Sequence, residues 1–175
     1  MASFYTKTFA KHDDYMTPKS AWNSIIEFIP DEYKVIYEPF YGDGQSGKDL
    51  EEILQVSTSL QNKTIIHEDV DFYEYSTQYN YDMILSNPPF SDAKKIMPKM
   101  LLLDKPFILL MPSSKINTSY FRAWREKNIQ IIIPRKRIHF IKMKDGEYVE
   151  SKGANFDCFF YCYKMNLPKN ILWLE

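Results

Sequence analysis

Asn87-Pro88-Pro89-Phe90 is the group of residues in this chain whose types and order are most closely suited to chemistry. Two successive prolines remove two backbone donors and bar the helical conformation from the residue before each. The carbonyls of Asn87 and Pro88 are therefore expected to project as fixed acceptors. An exocyclic amine entering that corner would give its two hydrogens to the Asn87 side-chain oxygen and the Pro88 carbonyl, leaving its lone pair toward an electrophile. Phe90 would stack on the flat ring that carries the amine. The plainer reading, a rigid loop with Phe90 in the core, is disfavoured by the position directly after the apolar run 82–86.

A second group is Glu38-Pro39-Phe40-Tyr41-Gly42-Asp43-Gly44. Of only five glycines, three fall at 42, 44 and 47. Glycine lets backbone pass close to a ligand and adopt turns barred to other residues. The flanking acid opposes phosphate, and Gly47-Lys48-Asp49 lacks the Lys-Ser or Lys-Thr of a phosphate loop. Such a cradle suits an uncharged or cationic ligand, although a mere tight turn fits the same residues, and Gly47 would only ease the start of the next helix. Glu68 forms a third group, placed to accept from two ribose hydroxyls. Asp71 could accept from an adenine amino group while Phe72 packs against that base. Some of the acids Glu68, Asp69, Asp71 and Glu74 would simply be solvated.

The elements that must position these groups alternate strand and helix. Thr17 is expected to cap a helix with Pro18 in its first turn, and Trp22, Ile25, Ile26 and Ile29 give it an apolar stripe. Strands are predicted at 35–37, 64–67, 82–86, 107–111 and 129–133. Helices are predicted at 48–60, after Phe90 with a reset near Pro98, and at 120–127. These strands are apolar enough to be covered on both faces. Near the end, 137–143 and 148–149 flank Asp145-Gly146, a strong hairpin signal. The aromatic run 157–164 reads as a central antiparallel strand. The fold class is thus α/β and Rossmann-like, three layers αβα around a mixed sheet with an antiparallel C-terminal strand. The three groups fall at the carboxyl ends of successive strands, where open α/β sheets bind ligands.

The chain has 175 residues, 45% hydrophobic, with 22 Lys+Arg against 23 Asp+Glu. Those values fit one domain over 1–175, and exclude a disordered tail protein or a globally basic nucleic-acid wrapper. Residues 1–16 are mixed and polar, an expected flexible start. Cys158 and Cys162 lie too far apart along a strand to be bridged, which favours a reducing setting. No run approaches the roughly eighteen apolar residues of a membrane span, so a soluble intracellular protein is expected. His12, His67 and His139 do not have the spacing of a metal cluster.

The motifs at 38–44, 71–73 and 87–90, in this order, resemble those of S-adenosylmethionine-dependent amino methyltransferases, especially the DNA adenine-N6 enzymes. The resemblance spans about residues 15–165, and Asn-Pro-Pro-Phe is its specific part. It implies S-adenosylmethionine as cofactor. Thr17 and Pro18 would help hold its methionine end, Glu38, Phe40, Gly42 and Gly44 its loop, Glu68 its ribose, and Asp71 and Phe72 its adenine. Asn87, Pro88, Pro89 and Phe90 would form the catalytic corner for the target base. Two departures stand out. The interval from Gly44 to Asn87 compresses the second and third strand regions, and the chain lacks the target-recognition domain of many members.

Arg135, Lys136, Arg137, Lys142 and Lys144 lie in an acid-free block, 134–144, within the basic strand and hairpin region 134–155. A basic surface strand explains that block as cheaply as phosphate contact does, and its place after a strand that ends at the ligand rim favours contact. The expected reaction is methylation of adenine N6 in single- or double-stranded DNA, with specificity from a homodimer or a separate partner. The alternatives are methylation of RNA adenine or a protein glutamine amide, and a non-catalytic nucleic-acid-binding subunit.

Overall fold

The computed structural model describes residues 15–57, 60–144, 147–150 and 156–175, with backbone alone at 143, 144, 147 and 150. Helix α1 (Lys19–Asn23) precedes strand β1 (Val35–Tyr37), helix α2 (Gln45–Val56), strand β2 (Thr64–Ile66) and the one-turn helix α3 (Phe72–Tyr75). Strand β3 (Met83–Ser86), helix α4 (Ala93–Leu103), strand β4 (Phe107–Pro112), helix α5 (Arg122–Arg125) and strand β5 (Gln130–Ile133) follow. The chain ends in strands β6 (Ile141–Lys144), β7 (Glu147–Glu150), β8 (Cys158–Tyr163) and β9 (Ile171–Trp173).

The main sheet runs β2-β1-β3-β4-β8-β5-β9. β1, β2, β3 and β4 pair in parallel, β8 is antiparallel to both β4 and β5, and β9 is parallel to β5. All of β3 and β4 is buried, as strands covered on both faces require. The period-2 alternation of side chains divides them between two cores. Met83, Leu85, Ile108, Leu110 and Phe160 join Trp22 of α1 and Leu50, Ile53 and Leu54 of α2. Ile84, Leu109 and Tyr161 join Ile96, Met97 and Met100 of α4 and Trp124 of α5 on the other side. The three-layer αβα arrangement with a mixed sheet is therefore as expected, and the antiparallel strand expected over 157–164 is β8, while the last strand of the chain, β9, is parallel.

The chain leaves β1 toward β2 on one side and returns to β3 on the other, so the switch point of the sheet lies between β1 and β3. Register places Tyr37 beside Ile84, and so Glu38 and Asn87 emerge from neighbouring strand ends.

Several local expectations differ. Thr17 does not cap α1: Pro18 is the N-cap residue and no side chain bonds there. Pro98 sits within α4 without breaking it; it and Lys94, whose carbonyl loses a partner, are both exposed to water. Residues 134–140, expected as basic strand, are irregular. Ile138 and Phe140 turn into the first core, and pairing starts only at Ile141. β6 and β7 pair antiparallel from Ile141–Glu150 to Lys144–Glu147, while the Asp145-Gly146 turn lies outside the described residues. So does the flexible start, except Tyr15 and Met16. β9 was not anticipated, because three residues of mixed exposure carry no alternating signal. No helix among the described residues is long and apolar enough to cross a membrane.

Phe160, fully buried in the middle of β8 and 6.5 Å from the Trp22 ring, ties α1 to the sheet. Phe160→Ala is expected to destabilise the protein by about 3–5 kcal/mol, read as a lowered urea midpoint at unchanged slope.

Candidate functional site

Glu38, directly after β1, is 1% exposed. A carboxylate so buried must be compensated, and the two neighbouring strands do this. Ser86 Oγ, at the end of β3, donates to Glu38 Oε1. His67, just past β2, brings Nδ1 to 2.6 Å from Glu38 Oε2 and 3.2 Å from the Glu38 carbonyl. Burial alone would pull the imidazole below its ordinary pKa, but the hydrogen bond and charge of Glu38 outweigh it and hold His67 above that value. The ring stacks on Tyr41 with centroids 4.7 Å apart. A Cβ on Gly47 would stand 1.9 Å from the His67 ring. Gly47 is therefore the space that the imidazole occupies, a role beyond easing the start of α2.

The loop from Phe40 to Gly44 bends back over this buried acid. Gly42 and Gly44 have φ of +61° and +81°, in the left-handed region where a side chain is strained. Asp43 Oδ1 accepts from the Gln45 backbone N–H at 3.0 Å, and its Oδ2 accepts from the Tyr148 hydroxyl at 2.7 Å. Gly44 then caps α2, so the helix begins at the rim of the loop with its first N–H groups unused by the helix.

Facing the loop is the Asn87 corner. Asn87 Nδ2 donates to the Tyr15 carbonyl at 2.8 Å. The opposite amide orientation would set two oxygens against each other there, so this bond fixes Oδ1 as the inward atom. Oδ1 is buried with no hydrogen-bond partner among the described residues. Lys115 Nζ donates to the Phe90 carbonyl at 3.0 Å and steadies the turn. The Phe90 ring stands in an aromatic group with Tyr15, Phe140 and Phe156, at centroid distances of 6.2, 6.0 and 5.6 Å.

One cleft joins these parts. Tyr15, Met16, Thr17, Glu38 and the loop 40–43 line it together with Ser46 and residues 87–90. Its free space is about 40 Å³, near the volume of one water. Thr17 Oγ1 and Ser46 Oγ, like Asn87 Oδ1, are buried with no hydrogen-bond partner among the described residues. Buried polar atoms are nearly always paired, so three around one cleft point to a ligand.

The structure thus brings together Thr17, Glu38, Phe40, Gly42 and Asn87 to Phe90, with Gly44 just beyond as the cap of α2. Pro18 lines a neighbouring groove instead. Glu68, Asp71 and Phe72 do not line the cleft. Glu68 accepts from the Tyr79 hydroxyl at 2.8 Å on the surface. Asp71 caps α3, accepting from the Tyr73 and Glu74 N–H groups. Phe72 is 3% exposed and packs on Phe40. Arg135, Lys136 and Arg137 line the groove of about 620 Å³ that contains Pro18, with Ile141 and Tyr148 at its side. Arg137 is paired with Asp157 at 2.7 Å. Lys142 Nζ lies 4.1 Å from the centroid of the Tyr15 ring, over its face. The Lys144 side chain lies outside the described residues. Among those residues no group of three His, Cys, Asp or Glu could hold a metal ion.

Residues of the site that were not anticipated include Tyr15, Ser46, His67, Ser86 and Lys115. Spacing signals none of them. For His67 the signal is its contact with Gly47, twenty residues earlier in α2, which only the fold brings together.

No known family's sequence profile matches the chain, and no curated protein does. Solved structures similar to it include a protein of Listeria monocytogenes assigned as a class I S-adenosylmethionine-dependent methyltransferase. That structure is 14% identical, with a TM-score of 0.49, over 96% of this chain and 68% of its own. Another is the tRNA (m1A58) methyltransferase of Aquifex aeolicus, 13% identical, with a TM-score of 0.41 over 89% of this chain and 72% of its own. A third is an S-adenosylmethionine-dependent O-methyltransferase of Thermotoga maritima, 11% identical, with a TM-score of 0.41 over 82% of this chain and 64% of its own. The strand order and directions of this chain, four parallel strands followed by one antiparallel strand between β4 and β5, make a Rossmann-like α/β fold with a mixed central sheet.

Because the folded protein holds the His67 proton more tightly than the unfolded chain, this pair contributes stability that is complete below about pH 6.5. That contribution is lost as pH rises through the raised folded value. His67→Gln should remove this decline from a plot of unfolding free energy against pH, and an identical slope in both proteins would contradict the pairing. Gly47→Ala must displace the imidazole and should cost roughly 1–3 kcal/mol in the same measurement.

Proposed function

We propose that this protein is an S-adenosylmethionine-dependent amino methyltransferase whose target is the N6 amine of adenine in a polynucleotide, DNA in the first place. The observation that carries this reading is the Asn87 amide, whose donor is consumed by the Tyr15 carbonyl while its buried acceptor is unpaired. An unpaired acceptor beside a proline carbonyl selects a ligand that donates, and an amine with two hydrogens satisfies both.

The cleft chemistry fits the cofactor. A loop of two left-handed glycines, the Thr17 and Ser46 hydroxyls and the start of α2 offer backbone approach and polar partners for an amino acid end. When bound, S-adenosylmethionine supplies an electrophilic methyl carbon on sulfonium sulfur. Asn87 and the Pro88 carbonyl would hold the amine so that its nitrogen could take up that methyl group, with the proton it gives up passing out at the mouth of the cleft. Asn87 Oδ1 and the Pro88 carbonyl hold the amine hydrogens, which turns the nitrogen lone pair outward from the corner. Phe90 supports the plane of the ring, and the aromatic group around it excludes water. Alignment and desolvation are then the main catalytic contributions. The nucleoside end of the cofactor would point toward the end of β2, the side on which Glu68, Asp71 and Phe72 lie.

A polynucleotide also suits the surroundings. The Met16 and Ile141 backbones pair at 2.9 Å, which sets Lys142 at the corner and the groove of Arg135, Lys136 and Arg137 alongside it. A base in duplex must leave its stack to reach Asn87, and a single strand spares that cost. Asn87 and Pro88 would meet the base and not the sugar, so adenine in RNA is the second reading.

The test is incubation with methyl-labelled S-adenosylmethionine and matched single-stranded DNA, duplex DNA, RNA and glutamine-containing protein, with the methylated atom identified by mass spectrometry. Label on adenine N6 is expected; label on protein alone would overturn the reading, and label on RNA alone would move it to RNA. Asn87→Ala should lower turnover by about a hundredfold while cofactor affinity stays within about threefold, and equal turnover at saturating substrate would remove Asn87 from the reaction.

A further inference from the structure

We propose that two copies of this chain join through the open edge of β9, pairing antiparallel about Leu172 into one continuous sheet. This goes beyond the methyl-transfer reading and does not depend on it.

β9 ends the sheet order, with β5 as its neighbour. The parallel ladder uses the Asn170 carbonyl, which accepts from the Ile131 N–H at 2.8 Å, and the Leu174 N–H, which donates to the Ile133 carbonyl at 3.0 Å. Alternate residues of a strand turn their backbone groups to the same side. Leu172 therefore faces β5, and Ile171 and Trp173 turn their N–H and carbonyl groups to the open edge. Such groups are a template for a further strand. A two-fold axis through Leu172 sets Ile171 opposite Trp173 of the second copy, in the register where facing residues exchange both hydrogen bonds.

The side chains fit the same register. Leu172 and Leu174 pack on the first core, so Ile171 and Trp173 point to the other face, where they are 50% and 69% exposed. The two-fold sets each exposed indole against the β-branched side chain of the other copy, a favourable cross-strand pair. Lys169, in the bend before β9, and Glu175, just after it, are both exposed and equidistant from Leu172 in sequence. Antiparallel pairing therefore brings opposite charges together at both ends. The β2 edge offers no such match: pairing about Ile65 would oppose His67 to Lys63, which is buried and donates to the Pro30 and Tyr33 carbonyls. β9 runs in the direction of β5 and so of β1 to β4. The two clefts of the dimer thus open at opposite ends of the joined sheet.

Sedimentation velocity of wild type from about 1 to 100 µM should show a species of twice the monomer mass at the upper end. Lys169→Glu should raise the dissociation constant by about tenfold or more, since it opposes like charges at both ends. Lys169→Glu combined with Glu175→Lys should return it to within about threefold of wild type. Trp173→Glu should leave monomer throughout, with circular dichroism and the urea midpoint as checks on folding. Wild type that stays monomeric would overturn the proposal. A dimer indifferent to Trp173→Glu or to Lys169→Glu would overturn it too, because the contact would lie elsewhere. So would growth beyond a dimer, which a closed two-fold forbids, or a double variant no tighter than Lys169→Glu.

Discussion

A buried carboxylate governs the arrangement of this molecule's cleft. Glu38 emerges from β1 with its charge almost wholly shielded from water, and such a charge persists only where partners replace the lost hydration. The partners come from the two strands on either side, His67 after β2 and Ser86 at the end of β3. Three parallel strand ends are thereby set relative to one another. Gly47 leaves room for the imidazole and Tyr41 covers it, so α2 and the glycine loop are drawn to the same point. Asn87 follows Ser86 in the chain, and its position is fixed through the same carboxylate.

The cleft is completed from remote parts of the sequence. Met16 pairs with Ile141, and Tyr148 from β7 donates to Asp43 in the glycine loop. The segment before α1 and the β6–β7 hairpin thus meet over the strand ends. Their meeting places cationic side chains near the aromatic group around Phe90 without requiring a basic protein overall, consistent with a net charge of −1. Local cation placement of this kind can hold a polyanion where average composition cannot.

Much of the central architecture was legible because the strands are short, apolar and separated by recognisable turns. β3 and β4 read directly as buried strands, and the aromatic run of β8 is antiparallel and central as expected, with β4 and β5 as the neighbours that the structure adds. Sequence spacing failed where tertiary contact overrides local preference. The stretch 134–140 alternates enough to suggest a strand, yet Ile138 and Phe140 enter the core from irregular backbone. Pro98 suggested a break, which an exposed position in α4 makes unnecessary. In the cleft, the glycines and the Asn-Pro-Pro-Phe turn announced themselves by residue type. His67 and Tyr15 did not, since their significance lies in partners at Glu38 and Asn87 that are distant in the chain.

The unpaired Asn87 oxygen, placed to receive an amine beside the glycine loop, is the feature on which the proposed chemistry turns. Its most direct measurement is a crystal structure of the protein with S-adenosylhomocysteine and adenosine monophosphate bound. The account predicts the methionine end at Gly42, Thr17 and Ser46, with the adenine amine within about 3.2 Å of both Asn87 Oδ1 and the Pro88 carbonyl. A cofactor in that cleft with the nucleotide bound elsewhere, or an amine turned away from Asn87, would contradict it.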